Sequence, residues 1–169
     1  MSQRQQSKTD KDNWQTPERV LERIQATDPI DMDPCAGEGT EIGDINISPP
    51  QDGLSYDWEG TVFCNPPYSD KTAWLDKAAA EYQKNTVDRV YVLIPDSTDV
   101  ISWWHGVIAK HCRWTVFFHG RVKYIDPDTG EQVGSPPHGS ALAIFGEPPE
   151  ETLKALKEEG DVVKRPRFL

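Results

Sequence analysis

Short apolar runs alternate with stretches of helical periodicity along most of the chain. The run 90–94 is apolar at nearly every position, as expected of a strand that is covered on both faces. Thr16, followed by Pro17 and Glu18, is expected to cap the first helix. The same criteria predict strands near 30–33, 45–47, 61–64, 90–94, 113–118 and 141–145, and helices near 16–24, 70–84, 99–110 and from 148 onward.

This alternation of strands and helices predicts an α/β fold. The sheet is expected to be mostly parallel, with late hairpin-like strands forming an antiparallel edge and helices on both faces. At 169 residues the chain has room for one domain with a substantial core. The predicted organisation is a disordered arm over 1–13, a single domain over 14–160 and a basic tail over 161–169.

The composition argues against a membrane protein, a secreted protein and a zinc protein. Hydrophobic residues make up 36% of the chain, and no apolar run approaches the roughly 20 residues of a membrane helix. The N-terminal segment lacks the apolar stretch of a signal peptide. The three cysteines have no CxxC spacing, which favours reduced thiols and gives no zinc pattern. We expect a soluble cytoplasmic protein without a metal.

A glycine-bearing turn directly follows the first predicted strand. In the segment 33–40, Asp33 ends the strand, and Gly37 and Gly39 let main-chain N–H groups approach a ligand closely. This edge of an α/β sheet is where such folds bind nucleotides. The carboxylate of Asp33 suits a ligand that has a free amine. A plain strand-to-loop turn remains the alternative for this short pattern.

A second motif, Asn65-Pro66-Pro67-Tyr68, ends the third predicted strand. Proline rigidity allows the Asn65 amide oxygen and the Pro66 carbonyl to act as two acceptors with the same direction. An exocyclic NH₂ group has two hydrogens, and accepting both would stabilise the charge that develops on the nitrogen during methyl transfer. Tyr68 offers a face for stacking on a base. The pattern therefore predicts a site that binds an exocyclic amine for methyl transfer, and a rigid Pro-Pro turn with a packing tyrosine remains the alternative.

The order of these motifs resembles the amino-methyltransferases, and more closely the phage-type DNA N-6-adenine methyltransferases. The resemblance covers about residues 14–146. The fold it implies is a compact Rossmann-like methyltransferase sheet. The matching segments lie at 14–17, 52–54, 57–58, 62–68, 93–95, 98–99, 104–105, 120–123 and 135–136.

The resemblance implies that the chain uses S-adenosylmethionine to methylate N6 of a flipped adenine in double-stranded DNA. It also implies that the chain acts inside a cell, such as a virus-infected host cell. The catalytic residues implied are Asn65, Pro66, Pro67 and Tyr68. The cofactor-binding residues implied are Trp14, Thr16, Pro17, Asp33, Pro34, Cys35, Gly37, Asp52 and Asn65. The DNA-binding positions implied are Arg121, Lys123 and Ser97, where Ser97 stands in place of the arginine usual in the family.

The net charge of −10 opposes binding to a phosphate backbone. Positive charge could be concentrated locally, with Lys71, Lys77 and the segments 119–123 and 164–167 as candidates. The protein could instead work at high salt, where charges are screened within about 3 Å at 1 M. A third explanation is that the carboxylates form an ordinary solubilising surface. Alternative functions also stay open: cytosine N4, RNA or protein-glutamine methylation, or a non-catalytic binding module. His105 and His138 are expected to be packing or loop residues.

Overall fold

The computed structural model describes residues 12–134 and 136–166. Of the expected N-terminal arm, residues 1–11 lie outside the described residues, whereas the carboxylate of Asp12 accepts hydrogen bonds from the main-chain N–H and the hydroxyl of Ser69. The elements in chain order are α1 Glu18–Gln25, β1 Met32–Asp33, β2 Ile45–Asn46, β3 Gly60–Cys64, α2 Lys71–Gln83, β4 Val87–Pro95, a π-helix Ile101–Ile108 continued by α3 Ala109–His111, β5 Trp114–Phe118, β6 Ser140–Phe145, α4 Glu150–Leu156 and β7 Gly160–Lys164.

The strands form one seven-stranded sheet in the order β2-β1-β3-β4-β6-β5-β7. The first four strands in that order pair in parallel. The last three join through antiparallel pairs. Five strands, β1 to β5, therefore point one way, and the prediction of a mostly parallel sheet with an antiparallel edge is confirmed.

Each face of the sheet is covered by helices and carries its own core. On one face Leu75 of α2 and Ile108 of the π-helix pack on strand side chains. On the other face Ile24 of α1 and Leu156 of α4 are fully buried. The prediction of helices on both faces is thus confirmed. No helix in the described part of the chain is long and apolar enough to cross a membrane.

A buried acid connects α2 to the loop before β3. The Glu81 carboxylate, 1% exposed, accepts from the main-chain N–H of Trp58 at 3.0 Å and is paired with Lys77 and Lys84. Burial alone would raise the pKa of Glu81, but these hydrogen bonds outweigh it and lower the pKa to about 2. The Trp58 indole in turn donates to the main-chain oxygen of Gly53 at 3.0 Å. The acid therefore helps to fix the turn at Gly53.

Two local expectations are corrected. Pro17, and not Thr16, occupies the N-cap of α1, and it supplies no side-chain cap. Thr16 is instead buried and its hydroxyl oxygen accepts from Asn65. The segment expected to be a basic tail from 161 contains strand β7, which pairs with β5. Gly160–Lys164 is a short strand at the edge of the sheet, and its pairing with β5 was not visible in the sequence. Residues 167–169 of the expected tail lie outside the described residues.

Candidate active site

A cavity of about 600 Å³ opens at the carboxyl ends of the parallel strands. Strands β1 and β3 are parallel neighbours, so the chain leaves both at the same edge of the sheet. The turn after Asp33 and the loop that begins at Asn65 therefore line the same cavity. This is the edge at which open α/β sheets bind ligands, and the volume lies within the range usual for small-molecule sites.

Asp33 supplies a buried carboxylate to this cavity. Its side chain is 2% exposed, and one oxygen accepts from the main-chain N–H of Cys35 at 3.0 Å. Burial raises the pKa of Asp33 to about 7, and the Cys35 hydrogen bond offsets only part of that effect. A cationic group placed beside it would restore the ionised form. The chemistry of the position therefore suits an amine.

The turn Asp52–Gly53 also lines the cavity, beside the turn that follows Asp33. Asp52 accepts from the main-chain N–H of Leu54 at 3.0 Å and from the hydroxyl of Ser55 at 3.1 Å. A Cβ atom at Gly53 would lie 1.8 Å from the main-chain oxygen of Pro34. Only glycine permits this approach, which brings the Asp52 turn against the turn that follows Asp33.

The segment 14–16 closes a third side. Gln15 exchanges two main-chain hydrogen bonds with Ile125, at 2.9 and 3.0 Å. Its side-chain amide donates to the hydroxyl of Thr40 at 3.2 Å. The segment before α1 is therefore held against both the glycine turn and the loop that precedes β6.

The Asn65 side chain is fixed by two acceptors. Its amide nitrogen donates to the main-chain oxygen of Trp14 at 3.0 Å and to the hydroxyl oxygen of Thr16 at 3.1 Å. Because a main-chain oxygen can only accept, the side-chain atom that faces it must be the nitrogen. The orientation of the amide follows, and no hydrogen bond from residues 12–134 or 136–166 reaches Oδ1. That oxygen is left to accept from a ligand.

Tyr68 belongs to an aromatic cluster beside the Asn65 loop. Its ring meets Tyr124 edge-on at 6.1 Å and His138 edge-on at 4.9 Å between centroids, and Tyr124 stacks on Trp14 at 5.7 Å. The buried Tyr68 hydroxyl has no hydrogen-bond partner among the described residues. Burial raises its pKa well above the usual range. Packing therefore fixes the ring, and no hydrogen bond to a described residue does so.

The cavity is strongly acidic. Among the described residues that line it, seven are Asp or Glu and none is Lys, Arg or His. Within the described chain these carboxylates are not grouped as metal ligands are. A cavity of this charge favours a cationic ligand. The acidic residues are Asp12, Asp33, Glu38, Asp52, Asp70, Asp126 and Asp128.

Most residues predicted to bind the cofactor meet at this cavity. Pro67 also lines it, whereas Pro66 and Tyr68 do not. Pro17 lies just outside, at the N-cap of α1. The predicted cofactor-binding residues that line the cavity are Trp14, Thr16, Asp33, Pro34, Cys35, Gly37, Asp52 and Asn65.

The predicted DNA-binding residues lie apart from the cavity. Arg121 and Lys123 are exposed and alternate with the buried Val122 and Tyr124, as in an extended segment with one face on the core. Ser97 is half-buried in the loop after β4. None of the three lines the cavity. Their role in binding DNA stays a prediction.

Several residues near the site were not found from the sequence. Gln15 stood between two residues of a recognised segment, which was its only signal. Tyr124 reaches Tyr68 across a long sequence separation, and no local pattern marks it. His138 was expected to be an exposed loop residue, but it is half-buried and its ring contacts Tyr68. Asp126 and Asp128 line the cavity beside a turn that the sequence indicated only as a turn.

Sequence comparison agrees with this site. A family model described as DNA N-6-adenine-methyltransferase (Dam) matches residues 3–165. The chain therefore belongs to the DNA N-6-adenine-methyltransferase family, and the enzyme class predicted from its motifs is confirmed.

Individual relatives were also found. The DNA N-6-adenine-methyltransferase of Haemophilus phage HP1 (strain HP1c1) is 29% identical over 150 residues, which cover 86% of this chain and 84% of that protein. The 23S rRNA methyltransferase ErmE has a similar solved structure, with a TM-score of 0.49, 14% identity and coverage of 86% and 74% of the two chains. A putative RNA methyltransferase, PH1948 from Pyrococcus horikoshii, reaches a TM-score of 0.32, with 17% identity and coverage of 60% and 50%. Both TM-scores are below 0.5, and the family assignment rests on the sequence match.

Proposed function

We propose that this chain transfers the methyl group of S-adenosylmethionine to N6 of an adenine flipped out of double-stranded DNA, and that Asn65 and Pro66 hold the target amine. The observation that carries the proposal is the fixed Asn65 amide. Its nitrogen is occupied by Trp14 and Thr16, so Oδ1 is the atom available to accept an N–H. The family match supports the same chemistry.

The two acceptors act on the electronic state of the amine. The lone pair of an exocyclic NH₂ is delocalised into the ring, which makes it a poor nucleophile. Hydrogen bonds from its two N–H groups to Asn65 Oδ1 and to the Pro66 carbonyl favour a pyramidal nitrogen and stabilise the positive charge of the transition state. The nitrogen attacks the methyl carbon, the carbon–sulfur bond breaks as the nitrogen–carbon bond forms, and the nitrogen then releases one proton to solvent.

The acidic cavity is suited to S-adenosylmethionine. The bound cofactor would supply an electrophilic methyl group on a sulfonium, and it carries a net positive charge that its demethylated product has lost. A cavity lined by seven carboxylates and no basic residue among those described therefore favours the methyl donor over the product. This preference would promote release of the product after each transfer.

Three residues are assigned to separate parts of the cofactor. Asp33, buried and with its pKa raised, would pair with the methionine ammonium. Thr16, whose oxygen already accepts from Asn65, retains its hydroxyl proton for the methionine carboxylate. Asp52, which is exposed and lines the cavity, would accept from the adenine or ribose of the cofactor. Pro17, Pro34, Cys35 and Gly37 would shape the surface between them.

Tyr68 and two cations would hold the DNA. Stacking of a flipped base on an aromatic ring contributes about 1–3 kcal/mol, which is comparable to the few kcal/mol that extrusion costs. Arg121 and Lys123, exposed on one side of the segment 121–123, would contact phosphates and provide positive charge locally in a chain of net charge −10.

The test is a substrate panel with methyl-labelled S-adenosylmethionine. Unmethylated duplex DNA, RNA and a cell-protein extract are incubated with the enzyme from low to molar salt, and labelled products are identified by nucleoside and amino-acid analysis. N6-methyladenine from DNA is the expected product. Label found in N4-methylcytosine, in RNA or in glutamine would show that the enzyme acts on that substrate and not on adenine in DNA. Cofactor binding without any product would identify a binding module.

A further inference from the structure

A second cavity, of about 430 Å³, lies at the opposite end of the sheet. Trp114 at the start of β5 pairs with Ile144 near the end of β6 and with Lys164 at the end of β7. These positions lie at the amino-terminal end of β4, because β4 and β6 are antiparallel. At about 3.3 Å per residue, the two cavities are separated by roughly 20 Å along the strands.

The charge of this second cavity is the reverse of the first. Lys110, Arg113 and Arg165 line it, and among the described lining residues Glu147 alone is Asp or Glu. Such a concentration of cations is unusual in a chain with a net charge of −10. The local field therefore favours an anion.

Glu147 does not satisfy all of these cations. Its carboxylate accepts from Arg113 Nη1 at 2.8 Å and from the indole of Trp114 at 2.7 Å, so both oxygens are already engaged. The guanidinium of Arg165 makes no hydrogen bond or ion pair with any residue in 12–134 or 136–166. Lys110 likewise has no polar partner in that part of the chain. Two positive charges are thus left uncompensated.

Two buried guanidinium nitrogens at this cavity also lack acceptors. Arg113 Nε and Arg165 Nη1 are inaccessible to solvent and have no hydrogen-bond partner among the described residues. The main-chain N–H of Arg165 donates to the main-chain oxygen of Arg113 at 2.7 Å, which keeps the two residues adjacent. A buried donor of this kind costs about 1–3 kcal/mol when it is unpaired.

We infer that this cavity is a binding site for a phosphate-type oxyanion, held by Arg113 and Arg165 with Lys110 at its entrance. Guanidinium groups match the geometry of phosphate oxygens and bind them in charge-assisted hydrogen bonds. The site lies at the end of the sheet remote from the methyl-transfer cavity, so its ligand is distinct from the target nucleotide. The phosphate could belong to the backbone of bound DNA or to a free phosphorylated compound.

The experiment uses inorganic phosphate as the probe. Binding to the full chain is followed by ³¹P NMR line broadening at constant ionic strength, so that general screening does not change. Arg165→Gln is the main variant, because Arg165 has no described partner whose loss would disturb the fold. Lys157→Gln, which removes one exposed cation of α4's C-terminal turn, is the matched control.

We expect saturable binding in the native chain and in Lys157→Gln, and a dissociation constant about tenfold higher in Arg165→Gln. Absence of saturable binding, or equal binding in Arg165→Gln, would overturn the inference. Adding duplex DNA separates the two sources of phosphate: displacement of the bound phosphate by DNA in the native chain indicates the backbone, and its retention indicates a free compound.

Discussion

The side-chain nitrogen of Asn65 donates to the main-chain oxygen of Trp14 at 3.0 Å, although 51 residues separate them in the chain. The segment before α1 is thereby joined to the loop after β3. This contact and the one to Thr16 orient Asn65 Oδ1 before any substrate arrives. Preorganised acceptors of this kind need no reorganisation during the reaction, which is the source of their effect on rate.

Replacing Thr16 tests that orientation. Thr16→Val removes the oxygen that accepts from Asn65 at 3.1 Å while keeping the shape of the side chain. We expect the single-turnover methylation rate at saturating cofactor to fall about tenfold, as expected when one such hydrogen bond is lost. Thr16→Ser retains the oxygen and should keep most of the native rate. A Thr16→Val enzyme as fast as the native one would contradict the assigned role.

Asp33→Asn is expected to weaken cofactor binding and to stabilise the protein without ligand. With its pKa raised to about 7 by burial, the folded state holds this proton more tightly than the unfolded chain, whose Asp33 titrates near 3.8. The free energy of unfolding therefore falls as the pH rises from about 4 to about 7, and ionised Asp33 costs about 2–4 kcal/mol above that range.

The pH dependence of the Tm tests whether ionised Asp33 destabilises the protein. Asn keeps an acceptor for the Cys35 N–H but carries no charge, so Asp33→Asn should raise the Tm most at pH 8, by less at pH 5, and hardly at all near about pH 3. Its dissociation constant for S-adenosylmethionine, measured by calorimetry at pH 8, should rise tenfold or more. An unchanged affinity, or a lower Tm at pH 8, would show that Asp33 does not face the ammonium group.

Tyr68 should tolerate loss of its hydroxyl but not of its ring. The buried hydroxyl has no partner among the described residues, so Tyr68→Phe should change the free energy of unfolding by less than about 1 kcal/mol and preserve activity. Tyr68→Ala should weaken binding of an extruded base by about 1–3 kcal/mol, which 2-aminopurine fluorescence at the target position can detect.

Tyr124→Phe is the matched control for Tyr68→Phe. The Tyr124 hydroxyl is paired with that of Ser140 at 2.8 Å, so its removal should destabilise the fold by about 1 kcal/mol. If Tyr68→Ala leaves 2-aminopurine fluorescence unchanged, the ring does not stack on the base and serves only the aromatic cluster with Tyr124 and His138.

Charge neutralisation at Arg121 and Lys123 should change the salt dependence of DNA binding. If each contacts one phosphate, the double variant to Gln lowers the slope of log K against log salt by about 1.8, since each phosphate contact contributes about 0.9. Fluorescence anisotropy over a salt series measures the slope. Lys157→Gln should leave it unchanged, and an unchanged slope in the double variant would place the DNA elsewhere.

Local patterns were sufficient to predict the parts of the fold that depend on short-range preferences. The apolar run of β4 and the glycine turn after Asp33 are examples, because each is determined by neighbouring residues. The prediction that Thr16 caps the first helix was wrong, because the role of Thr16 is determined by a residue distant in the sequence. Its hydroxyl is used by Asn65, 49 residues away, and a tertiary hydrogen bond overrides the local preference for capping.

Strand β7 and the aromatic cluster also depend on tertiary contacts that local sequence patterns do not show. Gly160–Lys164 contains only two apolar residues, Val162 and Val163, and it forms a strand by pairing with the edge of β5. Tyr124, which contacts Tyr68, precedes Ile125, and Ile125 is hydrogen-bonded to the distant Gln15. The motif residues of the site were predicted because their spacing carries chemistry, whereas the residues that support them are assembled by the fold.

The most direct test of the central claim compares Asn65→Ala with a matched amide removal, Gln25→Ala on the exposed face of α1. Both variants and the native chain are given labelled S-adenosylmethionine and unmethylated duplex DNA, and the products are digested and resolved as nucleosides. Asn65→Ala should lose N6-methyladenine formation by at least about a hundredfold while remaining folded, and Gln25→Ala should match the native yield. Native-like N6-methyladenine formation by Asn65→Ala would contradict the account.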